Sequence, residues 1–280
     1  MLNLNNKLYV YHYNGVSYSD YSNVMFDYSR DNQVIEILDS HYLYIGFRKP
    51  INAVYVEMEV ANTAVTSLGL EYYNGTTYAS VSGLFDETSG LTRSGFIRWD
   101  REQTDQAAVE VDSQSAYWYR VQPTVSVDNT TSFNGINIVF ADDQDLKREY
   151  FEITSSDFYP TGQSSHILTH ESVRDDIVEG IRNDGRYKLN LGTGNFKDIE
   201  AFDLLEVEQV RQAAKYLALS KILDNASQDV TDIYMEKAKR YHGKYLEAID
   251  KYFLSIDYDD DGIEDKQEQL SSYTARIVRQ

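Results

Sequence analysis

The chain has no cysteine, so disulfide staples and thiolate zinc sites are excluded, and its redox compartment leaves no trace in the sequence. It has no run of about 18 apolar residues, the length a membrane-spanning helix needs. The opening MLNLNNKLYVYHY lacks a basic segment followed by an apolar one, so no secretory leader is expected. Basic residues are scarce: 26 Lys and Arg stand against 45 Asp and Glu, for a net charge of -19. That balance opposes a grip on phosphate backbones, which works through basic patches that release counterions. An acidic wall that surrounds DNA without holding it is compatible with the same numbers.

Proline is scarce too, and its placement divides the chain. Pro50, Pro123 and Pro160 are the only three, and the last 120 of the 280 residues have none. What is abundant is tyrosine, with 24 copies against 2 tryptophans. Its ring fits half-buried strands and interfaces while the hydroxyl stays wet. Length and a hydrophobic fraction of 42% suit two globular domains, each with its own core.

Up to YPTGQSSH the pattern has period two. In AVYVEMEV, Val54, Val56, Met58 and Val60 point one way and Tyr55, Glu57 and Glu59 the other, as in a half-buried strand. KLYVYHY, HYLYIGF, LGLEYY, GFIRW, AYWYRVQ and GINIVF repeat the texture between Gly, Asn, Ser and Asp clusters. Residues 1–160 are therefore expected to form an all-β sandwich or jelly roll. Two turns echo one another, Tyr13-Asn14-Gly15-Val16-Ser17-Tyr18 and Tyr73-Asn74-Gly75-Thr76-Thr77-Tyr78. Asn-Gly supplies the positive φ of a tight hairpin, and the flanking tyrosines can meet across it. Because Asn-Gly is common in hairpins, convergent turn chemistry explains the echo more simply than duplication.

Residues 161–280 change to period 3.6. Val173, Ile177, Val178 and Ile181 make a stripe within 171–182, with Arg182-Asn183-Asp184-Gly185 as a stop. Val207, Val210, Ala214, Leu217 and Ala218 make a second within 204–223. Tyr234, Ala238, Tyr241, Tyr245, Ala248, Ile249 and Tyr252 make a third within 229–253. Three amphipathic helices follow, giving a two-domain α+β chain with a helical C-terminal bundle.

DYDDDGIEDKQE, residues 257–268, fits the twelve-residue calcium loop of EF-hands. Asp257, Asp259 and Asp261 take its first, third and fifth positions, Gly262 the sharp turn, Ile263 the carbonyl position and Glu268 the last. Calcium wants about six to eight oxygens, and this spacing curls them inward. Glu264 stands where a paired EF-hand is apolar, which brings the loop closer to isolated DxDxDG loops of dockerin-like repeats. Ca2+ is the one cofactor the sequence suggests; a solvated acidic turn is the plainer alternative. His166 and His170, four apart in HILTH, lack the glutamate of the zinc-protease motif and are expected at the surface or as caps. No nucleophile elbow, P-loop or dinucleotide fingerprint occurs, and no pair of carboxylates stands out, so no catalytic residue is assigned and the chain is not expected to be an enzyme. Asn74, Asn129 and Asn225 fall in N-x-[ST] triplets, for which chance is sufficient without a leader.

DDIVEGIRNDGRYKLN, then LLEVEQVRQAAKYLALSKILDNAS, then DIYMEKAKRYHGKYLEAIDKYF resemble the head-to-tail connector, or neck adaptor, proteins of tailed bacteriophages. The likeness covers residues 171–254 and lies in helix lengths and in the textures of Ala214, Tyr216, Leu217 and of Tyr234, Ala238, Tyr241, Tyr245. The first half resembles β-sandwich modules that decorate phage necks and tails. The resemblance implies a connector-type bundle and a non-catalytic virion protein, assembled in the host cytoplasm. It implies a homo-oligomeric ring, a dodecamer, between portal protein and tail, with DNA passing through its lumen. Residues 161–280 carry 16 basic and 23 acidic groups, which suits a wall that repels DNA. The tail TARIVRQ, with Arg276, Ile277, Val278 and Arg279 after Tyr273, is expected either to dock on a neighbouring protein, as adaptor termini do in that family, or to be a frayed terminus. Two other readings use the same domains. One is a carbohydrate-binding module, which predicts Tyr72, Tyr73, Tyr78 and Trp99 on one exposed patch; the other is a baseplate or tail-fibre attachment protein.

Overall fold

The computed structural model describes residues 7–26, 33–101, 105–161, 163–184, 187, 198–205, 207–227, 233–251 and 254–258. Antiparallel β-sheets fill the first half and helices the C-terminal region, so the chain is α+β. Two compact units are present, one running to Ile138 and the other beginning at Val139.

Among the described residues the first unit holds twelve strands and one short helix. In chain order they are β1 (Tyr9–Tyr13), β2 (Tyr18–Asp20), α1 (Ser22–Phe26), β3 (Gln33–Val34), β4 (Tyr42–Phe47), β5 (Ala53–Val60) and β6 (Leu68–Tyr73). β7 (Tyr78–Ser80), β8 (Phe85–Asp86), β9 (Gly95–Arg98), β10 (Val109–Val111), β11 (Gln114–Pro123) and β12 (Ser132–Asn137) follow. One sheet has the order β2-β1-β4-β11-β6-β7, with β10 paired to β11; the other has the order β3-β12-β5-β9-β8. In the first sheet Val10, Leu43, Ile45, Leu70, Tyr72, Tyr119 and Val121 alternate onto one buried face. Tyr119 links the sheets: its ring centroid lies 4.8 Å from that of Trp99, just past β9. Its hydroxyl donates to Ile51 O at 2.7 Å and accepts from Ile51 N and Gln106 Nε2.

β5 departs from simple alternation. Its first five residues, Ala53–Glu57, are all buried, including Tyr55 and Glu57 on the face expected to be wet. Glu57 is accommodated because Tyr55 Oη donates to its carboxylate at 2.7 Å, and Tyr55 packs against Phe96.

In the second unit, α2 (Asp143–Glu149) precedes α3 (Ile167–Asn183), α4 (Glu208–Ala226) and α5 (Ile233–Lys251), with short 3-10 turns at Phe151–Thr154 and Ala201–Asp203. The proline-bearing stretch around Pro160 therefore lies inside this helical unit. α2 starts on a capping box: Asp142 accepts from Asp145 N while Asp145 accepts from Asp142 N. The stripes predicted for α3 and α4 are buried as expected, at Val173, Ile177, Val178 and Ile181 and at Val210, Ala214, Leu217 and Ala218. α5 packs on α4 through stacked rings of Tyr216 and Tyr241, and Ser220 Oγ donates to Ala238 O at 3.0 Å.

Candidate functional site

Of the acidic loop, Asp257 is the one proposed ligand among the described residues. It is fully buried, and its N–H donates to Asp203 O at 2.8 Å beside a bridge between Leu204 and Ile256. Asp259, Asp261, Ile263 and Glu268 lie outside the described residues, as do the tail residues Tyr273, Arg276, Ile277, Val278 and Arg279. Among the described residues no group of three or more His, Asp or Glu side chains converges as a metal cage.

His166 takes the N-cap position of α3, without a side-chain cap bond, but neither it nor His170 is a surface histidine; both are at least 98% buried. Their burial has a clear cause, a carboxylate some two dozen residues earlier. Asp143 accepts from His170 Nε2 at 3.0 Å and from the His166 N–H, while His166 Nε2 meets Ile153 O at 2.9 Å. Next to it, Asp145 accepts from Arg211 Nε of α4 at 2.7 Å. Burial, then the negative charge of Asp145, pushes the Asp142 carboxyl up to about 6. Burial also pushes Asp143 upward, but the hydrogen bond and charge of His170 outweigh it and hold that carboxyl below the usual range. These bonds tie α2 to α3 and α4, so the cluster acts as a buried polar joint.

The outer face of the first sheet carries the tyrosines. Tyr11, Tyr44 and Trp118 form a small second core there with Val111 and Ala116, ringed by Tyr9, Tyr13, Tyr18, Tyr42 and Tyr78. Tyr44 contacts the rings of Tyr18, Tyr42, Tyr78 and Trp118 at 5.6–6.2 Å. Arg120 lies between two of these rings, 4.4 Å from the Tyr42 centroid and 4.2 Å from that of Tyr78, and pairs with Glu71. Burial holds the Tyr78 phenol well above its ordinary value, Arg120 notwithstanding. The patch expected for sugar binding does not assemble: Tyr72 and Trp99 face the interior, and Tyr73 and Tyr78 lie on the opposite face. Sequence reading missed the Arg120 clamp, although the alternation in AYWYRVQ already sets Trp118 and Arg120 on one face.

α5 contrasts with α4. Nine residues of α4 are buried but only Ala238 and Tyr241 of α5, although its apolar stripe runs its whole length. Tyr234, Tyr245, Ala248 and Ile249 stay half-covered, and Ile233 and Leu246 are 61% and 52% exposed. Comparison with protein-family models, curated proteins and solved structures gives no match to this chain.

Proposed function

We propose that this chain is a structural protein of a phage neck, a non-catalytic ring adaptor between portal and tail. In this reading the first unit is a β-sandwich that faces other neck components, and the second is a connector-type bundle whose copies close a ring, a dodecamer. The observation that carries it is the open stripe of α5. An amphipathic helix gains its stability by covering its apolar face, so exposed Leu246 beside half-covered Tyr245 and Ile249 leaves a face for a neighbour to complete. Head-to-tail contact of that kind closes into a ring when the rotation per copy divides the circle. The excess of acidic groups in residues 161–280 suits a lumen along which DNA slides. A bound Ca2+ in the 257–268 loop would fix the direction in which the docking tail leaves the bundle.

The test is electron microscopy of the purified protein with and without its portal. Rings seated on the portal are expected, and Leu246→Asp should abolish them while leaving a folded monomer. Monomers indifferent to portal would overturn the reading.

A further inference from the structure

A site of a different kind lies at one rim of the first sheet. His12, on β1, and His41, just before β4, bring Nε2 and Nδ1 within 3.2 Å of each other. The same His41 Nδ1 lies 3.1 Å from the carbonyl oxygen of Glu36. His41 Nδ1 thus lies within reach of two other lone-pair atoms at once. A proton on His41 Nδ1 must be shared between Glu36 O and His12 Nε2. A proton on His12 Nε2 instead satisfies His41 but leaves the carbonyl out. Protons on both nitrogens would point at one another. In every arrangement of neutral rings the hub is short of one good bond.

We propose that His12 Nε2, His41 Nδ1 and Glu36 O form a site for an imidazole-preferring divalent ion of the zinc class. A cation uses all three lone pairs at once. The geometry agrees on two counts. A zinc ion about 2.05 Å from each nitrogen at the tetrahedral angle sets the nitrogens about 3.3 Å apart and the ring centroids about 5.2 Å apart. The observed separations are 3.2 and 5.1 Å, with the rings 56° out of plane. The fourth position falls to water.

The hub is held in place by its surroundings. His12 is 9% exposed and locked in register opposite Leu43 and Ser19. The turn that carries His41 closes with His41 N donating to Leu38 O, and Gln122 Nε2 donates to Asp39 O. His41 is half-exposed, which leaves a way in. The inference is independent of the ring reading.

The experiment titrates the full chain with zinc, and with cobalt as a spectroscopic substitute, in excess magnesium to occupy surface carboxylates. Expected are one tight equivalent, a tetrahedral cobalt spectrum, and NMR ring shifts at His12 and His41 with His166, His170 and His242 unmoved. His41→Ala should weaken binding by at least about tenfold, or 1.4 kcal/mol. The wild-type NMR titration decides the matter even if a variant folds poorly. Zinc shifting other histidines instead, or an unchanged cobalt spectrum in His41→Ala, would overturn the assignment.

Discussion

The half-sheet β2-β1-β4 and the half-sheet β7-β6-β11 repeat one register but hold their outer faces together by different chemistry. Tyr13 faces Tyr18 and Tyr11 faces Asp20 in one hairpin; Tyr73 faces Tyr78 and Glu71 faces Ser80 in the other. The third strands continue the match: Tyr11 pairs with Tyr44 and Tyr9 with Gly46, as Glu71 pairs with Arg120 and Gly69 with Gln122. Tyr44 and Arg120 face each other where the halves join, so they mark a pseudo-two-fold through the sheet. One half fills its positions with stacked rings, and the other with an Arg–Glu pair clamped by rings. Backbone pairing is the shared template, and side chains of quite different polarity satisfy it.

Alkali should produce the largest effect, because both halves depend on neutral phenols. Burial, then Tyr44, pushes Tyr18 up to about 12 in the first half, and burial pushes Tyr119 up to about 12 in the second. A pKa raised by folding gives stability that is fully present below the ordinary phenol value of about 10 and is lost as pH rises through about 12. Tyrosinate absorption should therefore show part of the 24 tyrosines ionising late, together with loss of near-UV dichroism. Ionisation of all of them near pH 10 with the dichroism intact would erase the buried aromatic face from the comparison.

Next comes Trp118, which is 1% exposed and lies over Gly46 of the opposite half. Trp118→Ala should cost about 3–5 kcal/mol in urea unfolding, and Tyr42→Ala, half-buried, clearly less. A Cβ at Gly46 would stand 2.5 Å from the indole, so Gly46→Ala should cost about 1–3 kcal/mol by overpacking. In the double variant the alanine has room, and the two costs should fall short of their sum. Strict additivity would mean that the indole does not rest on Gly46.

Arg120 tests the charged half. Arg120→Met should cost up to about 2 kcal/mol through its two ring contacts, and Arg120→Lys should recover little, since only a planar guanidinium stacks on both rings. Full recovery by lysine would reduce the clamp to a plain ion pair.

Some of this was legible in the sequence. The Asn-Gly echo gave both hairpins, because turn chemistry is local, and the stripes of α3 and α4 gave their buried faces, because a period of 3.6 needs no partner to be read. The longer correspondence was hidden, since Tyr11 and Tyr44 share no chemistry with Glu71 and Arg120; register shows only in the backbone. His166 and His170 looked peripheral for a similar reason. A histidine is taken inside when a carboxylate waits for it, and Asp143 lies 27 residues before His170. The meeting of His12 with His41 likewise depends on β1 pairing with β4.

The smallest effects should come from the turns, and they offer the finest comparison. Asn14 Oδ1 accepts from Val16 N and Ser17 N at 3.0 and 2.9 Å; Asn74 Oδ1 accepts from Thr76 N and Thr77 N at 3.1 and 2.9 Å. Tyr13 Oη donates to Gly15 O as Tyr73 Oη does to Gly75 O. The glycines sit at φ of +89° and +88°. A Cβ at Gly15 would meet nothing, and one at Gly75 only Ala107 at an ordinary 3.6 Å, so the backbone angle alone sets the cost. Gly15→Ala and Gly75→Ala should each lose about 1–2 kcal/mol and agree within about 0.5 kcal/mol. A larger gap would show that the turns share a shape but differ in strain, which would confine the pseudo-symmetry to strand register.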